Sequence, residues 1–440
     1  MKIVVGSTLA ALISVARISK FSPVTWIKPT DLIGGYFAGL DIDNIPFDAG
    51  MVINEPYTIP VLNPEKGELF PQKADRVSYV HLVFNWLKLN RIEFVPIDIF
   101  TFFRGKLYRD FFIADNLEVL SGFSGAEKDI FYKELTDIAL EFEEYHPSRK
   151  NTSEFYNTKS YREILSVTSS SLITELLIQP WLDKMMKNVS EIVPAIEHRS
   201  IWAPLYYSET LVNFMSGKIS ADLLERPFCV PKYKSVNQLI REIQAGLDGE
   251  INSIFANKDE LRNLISQESI TDKYFFGSQK DYAALIGNSI GGVQVKSREI
   301  TILFGLLESK HRVDEVINFV DSDILAYRLT LRNIKVDSRN IQTFVLEFGE
   351  GFSDVSDSFL IDHTSSIFPR IGKVGTVVIK KVLRTKVPIV TNEFRIHKLG
   401  EMTLSNQDLR KNGWMGSIVD FGSSAFNDQC LLGLWTFDER

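Results

Sequence analysis

The sequence predicts an α/β protein of more than one lobe, and three observations carry that prediction. The first 28 residues run β-branched strand, apolar helix, β-branched strand. Helical stretches with charged faces occupy much of the interval from about 75 to 225, and strand-like runs gather between about 295 and 390. A length of 440 residues exceeds what one hydrophobic core usually serves, so two or three lobes are expected, built from segments discontinuous in sequence.

Each element follows from its local pattern. Residues 2–6 (KIVVG) read as a buried strand, about 8–19 as a helix without a polar face, and 23–28 as a second strand. A helix apolar all round suits packing on a parallel sheet. The run PFDAGMVIN (46–54) alternates weakly before a Pro-rich excursion. Residues 126–146 and 169–189 read as helices, the second with Asp183 and Lys187 one turn apart on a solvated face. Residues 227–247 go strand, turn, amphipathic helix. REITILFGLL, AYRLTLRNI and TFVLEFGEG, rich in β-branched and aromatic residues, predict an antiparallel sheet, and 416–426 read as the start of a closing helix.

Composition narrows the function. Hydrophobic residues make up 45% and charged residues 24%, as in ordinary globular proteins, and a net charge of −7 gives no basic footprint for nucleic acid. Cys229 and Cys430 form no CxxC, and the six histidines show no metal-ligand spacing, so neither a disulfide framework nor a metal site is expected and reducing cytoplasm is the expected location. Met1-Lys2 before an apolar stretch also fits a secretory signal, but the second strand and Gly-Gly that follow at crossover spacing favour a βαβ unit. No window reaches the ~20 apolar residues of a membrane span.

The first βαβ unit carries a worn dinucleotide fingerprint. In a Gly-x-Gly-x-x-Gly turn the glycines serve the tight turn, the approach of a pyrophosphate and helix–strand packing. Here Gly6 takes the first place, Thr8 the second and Ala11 the third, with Ser7 between. Alanine is tolerated at the third place. The β-branch of Thr8 crowds the phosphate side and disfavours positive φ, while its hydroxyl can donate to an anion. The acceptor carboxylate expected at the end of the second strand is replaced by Lys28, which has donors only. Helix-opening amides survive these changes, so anion binding is weakened and not abolished. An NAD(P)-linked reading, with Lys28 meeting a 2′-phosphate, stands as an alternative.

Further blocks extend the pattern. TDLIGGYFAGLDIDNIPFDAGMVIN, with Gly34-Gly35 and Phe47-Asp48-Ala49-Gly50, resembles the second flavin-contacting stretch of the FAD-dependent amine oxidase clan, which includes protoporphyrinogen oxidase and UDP-galactopyranose mutase. Leu32 stands where the clan often has arginine. HKLGEMTLSNQDLRKNGWMGSIVDFG (397–422) resembles the clan's terminal element, with Gly400-Glu401, Gly413, Gly416 and Ser417 at matching positions. CVPKYKSVNQLIREI is similar to its Pro-Lys-Gly-Gly strand-to-helix turn, with Tyr233 and Lys234 replacing both glycines.

The resemblance implies a discontinuous Rossmann-type FAD-binding domain of residues 1–60, 225–295 and 390–440. It also implies an inserted α+β substrate domain of 61–224 and 296–389 containing the antiparallel sheet. The implied cofactor contacts are Gly6, Ser7, Thr8, Ala11, Lys28, Gly34, Gly35, Asp48, Gly50, Gly400, Glu401, Gly413, Gly416 and Ser417. The implied activity is FAD-dependent oxidation of a small or nucleotide-linked substrate. Alternatives are a redox-neutral sugar-nucleotide rearrangement of the mutase kind, or a relative that has lost FAD and serves as a binding subunit.

Aromatic-plus-basic clusters suit stacking on a sugar or nucleotide and charge-assisted bonds to phosphate. EHRSIWAPLYY supplies His198, Arg199, Trp202, Tyr206 and Tyr207; AYRLTLR supplies Tyr327 and Arg328; NEFRIHK supplies Arg395 and His397. Core packing with a surface arginine is the plainer reading of each cluster. His397, just ahead of Gly400-Glu401, is the histidine placed for proton transfer.

Overall fold

The computed structural model describes residues 2–53, 61–63, 68–70, 91–141, 159–195, 198, 201–206, 208–266, 273–277 and 296–389. In chain order its strands are β1 (Lys2–Val5), β2 (Val24–Lys28), β3 (Leu40–Ile42), β4 (Ile45–Phe47), β5 (Val61–Asn63), β6 (Glu68–Phe70), β7 (Phe94–Pro96), β8 (Asp98–Phe103) and β9 (Lys106–Arg109). They continue with β10 (Cys229–Pro231), β11 (Ile251–Phe255), β12 (Lys273–Phe275), β13 (Lys296–Glu308), β14 (Glu315–Phe319), β15 (Arg328–Val336), β16 (Arg339–Phe348) and β17 (Thr376–Ile389).

The N-terminal pattern folds as β1, helix α1 (Leu9–Ile18) and β2, within a residue or two of the expected bounds. All but the first of the helix's residues are buried, as a helix without a polar face requires. The sheet it covers has the order β11-β2-β1-β12, every neighbouring pair parallel, so its strands come from two stretches far apart in sequence. Between those stretches the Val236–Ala245 helix opens on a capping box, Ser235 with Gln238. Its Leu239, Ile240 and Ile243 join the cluster formed by Leu12, Val15 and Trp26.

A second sheet has the order β17-β13-β16-β15-β14-β8-β9. The antiparallel pairing expected for the 295–390 region holds for every neighbouring pair of its strands, and β8, from an earlier segment, joins β14 in parallel and carries β9 antiparallel at its other edge. Alternation along its strands makes two unlike faces. One face presents Phe102, Ile317, Leu329, Leu331, Phe344 and Leu346 to Leu360, Ile367 and Phe368 of the Asp357–Arg370 helix. The other mixes Phe304, Val316 and Val345 with Thr101, Asn318, Arg328, Thr330, Arg332 and Glu347, and all of these are buried. Trp181, Phe111 and Phe112 belong to the core on this second face.

The stretch expected as a helix over 169–189 is broken into shorter pieces. Ser171–Ile173 leads through a π-turn at Thr174–Ile178 into Gln179–Met185, and the π-turn accommodates Pro180. The helix ends at Met185, so Lys187 lies beyond it, and Asp183 takes its hydrogen bond from Gln179 Nε2 at 2.7 Å. That corrects the expected Asp183–Lys187 pairing on a helix face. The closing helix expected at 416–426 lies outside the described residues, as does all of 390–440. No helix among the described residues is long and apolar enough to cross a membrane.

Candidate functional site

The β1–α1 turn is built on a glycine that nothing else replaces. Gly6 has φ +139°, and a Cβ there would strike the Phe276 carbonyl, just past the end of β12. Its amide donates to Ile27 O at 2.9 Å, while its carbonyl accepts from Trp26 Nε1 at 2.9 Å, which ties the turn to β2. Ser7 is buried and donates to Thr30 O at 2.9 Å. Thr8 has φ −78° and N-caps α1, its Oγ1 accepting from Ala11 N at 3.2 Å. The threonine therefore suffers no backbone strain where a glycine is usual, and its hydroxyl is engaged in capping. Leu12 N makes the first helical bond, to Thr8 O at 3.1 Å, which leaves the amides of Leu9 and Ala10 without an intrahelical partner. Ala11 is fully buried, the helix-packing part expected of the third position.

Gly34-Gly35 closes on the same turn. Gly34 N donates to Ser7 O at 2.7 Å, and Thr8 and Gly34 pair as a parallel bridge. Gly34 has φ +108°, and a Cβ on it would run into Ile240 of the Val236–Ala245 helix. Gly35, at φ +57°, would place a Cβ 3.9 Å from Thr8 Cγ2. Two glycine-bearing blocks separated in sequence thus meet at the opening of α1. Lys28, at the end of β2, holds its ammonium 4.1 Å from the ring centroid of Phe255 at the end of β11, and 5.1 Å from that of Trp26.

The Phe-Asp-x-Gly element joins the two sheets. Phe47 packs edge-on to Phe304 of β13, with ring centroids 5.6 Å apart. Asp48 accepts from Val236 N at 2.7 Å, capping that helix from outside, and its other oxygen meets Arg332 Nη1 at 2.8 Å. Arg332, on β15, also bonds Asp314 at 2.9 Å and the carbonyls of Pro231 at 3.1 Å and Lys234 at 2.6 Å. Burial pushes the Asp48 carboxyl up, against the pull of Arg332 and the helix amides. Both Asp48 oxygens are thus engaged by protein groups. Gly50, at φ +106°, lies over the Glu347 carboxylate, where a Cβ would sit 3.1 Å from Oε1. In the following block Tyr233 adopts φ +57° and accepts from Lys335 N at 2.8 Å, so the residue replacing a glycine keeps a glycine-like backbone.

The aromatic-plus-basic clusters divide. Tyr327 and Arg328 are buried on the polar face of the seven-stranded sheet. Arg328 makes a two-point ion pair with Glu347, at 2.5 and 2.9 Å, and Tyr327 OH donates to Glu347 at 3.1 Å. Burial together with the Glu347 charge pushes the Tyr327 phenol up to about 12. Tyr206 donates to Phe111 O at 3.0 Å, Trp202 packs edge-on to Phe228, and His198 Nδ1 bonds Ala203 O at 2.7 Å. The polar ends of Tyr206 and His198 are thus met by backbone carbonyls. Arg199, Tyr207, Arg395, His397, Gly400, Glu401, Gly413, Gly416 and Ser417 lie outside the described residues.

Sequence reasoning missed Arg298, Arg332, Glu347, Asn318 and Thr330. The signal for part of this set was the alternation Arg328-Leu329-Thr330-Leu331-Arg332, which marks one polar strand face.

No protein-family model matches the chain, and no curated protein sequence matches it. Solved structures do. The reduced form of UDP-galactopyranose mutase aligns with TM-score 0.59 at 12% identity, over 98% of this chain and 94% of that one. A putrescine oxidase variant redesigned in cofactor binding aligns with TM-score 0.51 at 11% identity, over 98% of each chain. A Pyrococcus furiosus protein gives TM-score 0.51 at 11% identity, over 99% of this chain and 98% of that one. At these identities the likeness is one of fold, and it extends over nearly the whole chain.

Proposed function

From the fold held in common with UDP-galactopyranose mutase and putrescine oxidase, we propose that the chain is an FAD-dependent oxidoreductase of the amine oxidase-like clan. Its substrate on this reading is small or nucleotide-linked. The observation that carries the reading is the meeting of Gly34-Gly35 with the Gly6-Ser7-Thr8 turn. The turn fits an anionic cofactor. Two helix-opening amides lack an intrahelical partner, a positive helix end stands behind them, and Gly35 keeps side-chain bulk away from Thr8. The fit is poorer at the ribose. Lys28 offers no acceptor, so the hydroxyls there need another partner or the lysine meets a phosphate.

FAD, when bound, supplies the hydride-accepting chemistry. The chain's own part is to orient a substrate and exclude water. We assign orientation to the polar face of the seven-stranded sheet, whose Glu347 lies under Gly50 at one end of the turn-bearing segment. Gly400, Glu401, Gly413, Gly416 and Ser417 are assigned the remaining cofactor contacts, and His397 a proton-transfer role.

The test is titration of the purified protein with FAD, read as quenching of flavin fluorescence, followed by photoreduction of the complex. Saturable quenching and reversible bleaching are expected. Absence of quenching, with tighter retention of NADPH than of NADH, would replace this reading with the NAD(P)-linked one.

A further inference from the structure

The carboxyl ends of β1, β2 and β11 lie side by side along one edge of the parallel sheet, since Val5 pairs with Ile27 and Lys28 with Phe255. Open α/β sheets hold ligands along such an edge. The Gly6 turn stands there past β1, and two side chains stand there at the ends of the next strands. Trp26 packs with Leu12 and Val15 of α1, so by alternation Lys28 and its register partner Phe255 lie on the same side of the sheet, the side on which α1 opens. The Lys28 ammonium is 5.1 Å from the Trp26 ring centroid and 4.1 Å from that of Phe255. Trp26 Nε1 donates to Gly6 O at 2.9 Å, which fastens this pair to the turn. A strand spacing of ~4.8 Å sets Phe255 about 10 Å from β1, two strands along the edge.

Core packing does not account for Phe255, which is 55% exposed at the end of a strand whose last four residues are all exposed. A lone exposed aromatic is ordinary, but this one borders a turn suited to an anion and has a cation on its ring. Lys28 brings three donors, and among the described residues its ammonium meets two rings and no carboxylate. An accessible ring, a cation free of counter-charge and helix-opening amides therefore follow one another along the edge. A purine stacks on the first, and phosphate oxygens accept from the other two. The ribose between base and phosphate passes over the end of β2, where Lys28 supplies no acceptor for its hydroxyls.

We propose that Phe255 and Lys28 form an adenosine diphosphate site that holds the base by stacking and the phosphates by charge, and leaves the ribose hydroxyls unread. Calling the ligand FAD rests on the proposed function, whereas ADP alone suffices to fill the site. Specificity at this end of the cofactor then comes from the base and the phosphates.

The test is calorimetric titration of the purified protein with ADP, 2′-deoxy-ADP, inorganic pyrophosphate and FAD. ADP should bind saturably and more tightly than pyrophosphate, 2′-deoxy-ADP should match ADP, and the adenine absorbance should fall on binding as it does in a stack. Phe255→Ala should weaken ADP and FAD about tenfold and leave pyrophosphate unchanged, and Phe255→Trp should restore both. The melting temperature should not move, because the ring is exposed. Lys28→Gln should weaken ADP and pyrophosphate by the same factor. Failure of ADP to bind, or indifference of ADP to either substitution, would overturn the proposal. So would a loss of affinity with 2′-deoxy-ADP that Asp31→Asn reproduces with ADP, since the exposed Asp31 carboxylate would then read the ribose. FAD binding indifferent to Phe255→Ala would overturn this site and leave the flavoenzyme reading standing. ADP binding sensitive to Phe255→Ala in a protein that takes up no flavin would uphold this site and refute the flavoenzyme reading.

Discussion

At the scale of single residues, Thr8 shows how a substitution that looks damaging is absorbed. Its φ of −78° is ordinary, and its hydroxyl caps α1 through Ala11. Thr8→Ala should therefore cost about 1 kcal/mol of stability by chemical denaturation, whereas Thr8→Gly should cost only a few tenths, since glycine is a tolerable cap. FAD should bind Thr8→Gly more tightly than the parent, because the β-branch no longer crowds the pyrophosphate side. Looser binding would mean that the threonine hydroxyl is itself a ligand. Lys28 differs, for its ammonium rests on Phe255. If it also meets phosphate, Lys28→Glu should weaken nucleotide binding by roughly 1–3 kcal/mol, and unchanged affinity would confine it to the ring contact.

At the scale of elements, the two sheets depend on one joint. Arg332 of β15 gathers Asp48, Asp314 and the carbonyls of Pro231 and Lys234, while Asp48 caps the helix against which Gly34 packs. Arg332→Met should lower stability by about 3–5 kcal/mol, because the buried Asp48 and the partly buried Asp314 lose their cation together. Asp48→Asn should cost less, since the amide oxygen still accepts from Val236. Equal losses in urea denaturation would show that the Asp48–Arg332 ion pair, removed in both variants, carries the joint and that the other Arg332 contacts add little. Gly6→Ala combines a forbidden φ with collision against Phe276, and should fold poorly or not at all.

At the scale of the whole molecule, pH reports on the packing of the helical segment against the second sheet. Lys184, in the Gln179–Met185 helix, donates to the carbonyls of Phe319 at 2.9 Å and Asp321 at 2.6 Å, and burial lowers its pKa to about 7. The unfolded chain keeps that proton up to its ordinary value of 10.5, so between the two values the unfolded state binds more protons. Stability should therefore rise with pH through that window, and the penalty is fully present below it. Urea midpoints at about pH 6 and about pH 9 should differ less in Lys184→Met than in the parent. The strand–helix–strand opening and the strand-rich 295–390 region were legible because their periodicities are local. So was the convergence of Gly6 and Gly34, through block order and spacing. The Arg328-Leu329-Thr330-Leu331-Arg332 alternation is equally local, yet it reads as a strand with one wet face. Its burial depends on Trp181, Phe111 and Gly50 arriving from distant segments, which no local pattern announces.

The most direct measurement is a crystal structure of the protein soaked with FAD. The pyrophosphate should lie between the opening of α1 and Gly34-Gly35, with the isoalloxazine directed toward the sheet face that bears Arg328 and Glu347. No flavin at the Gly6-Ser7-Thr8 turn at saturating FAD, or flavin bound elsewhere, would contradict the account.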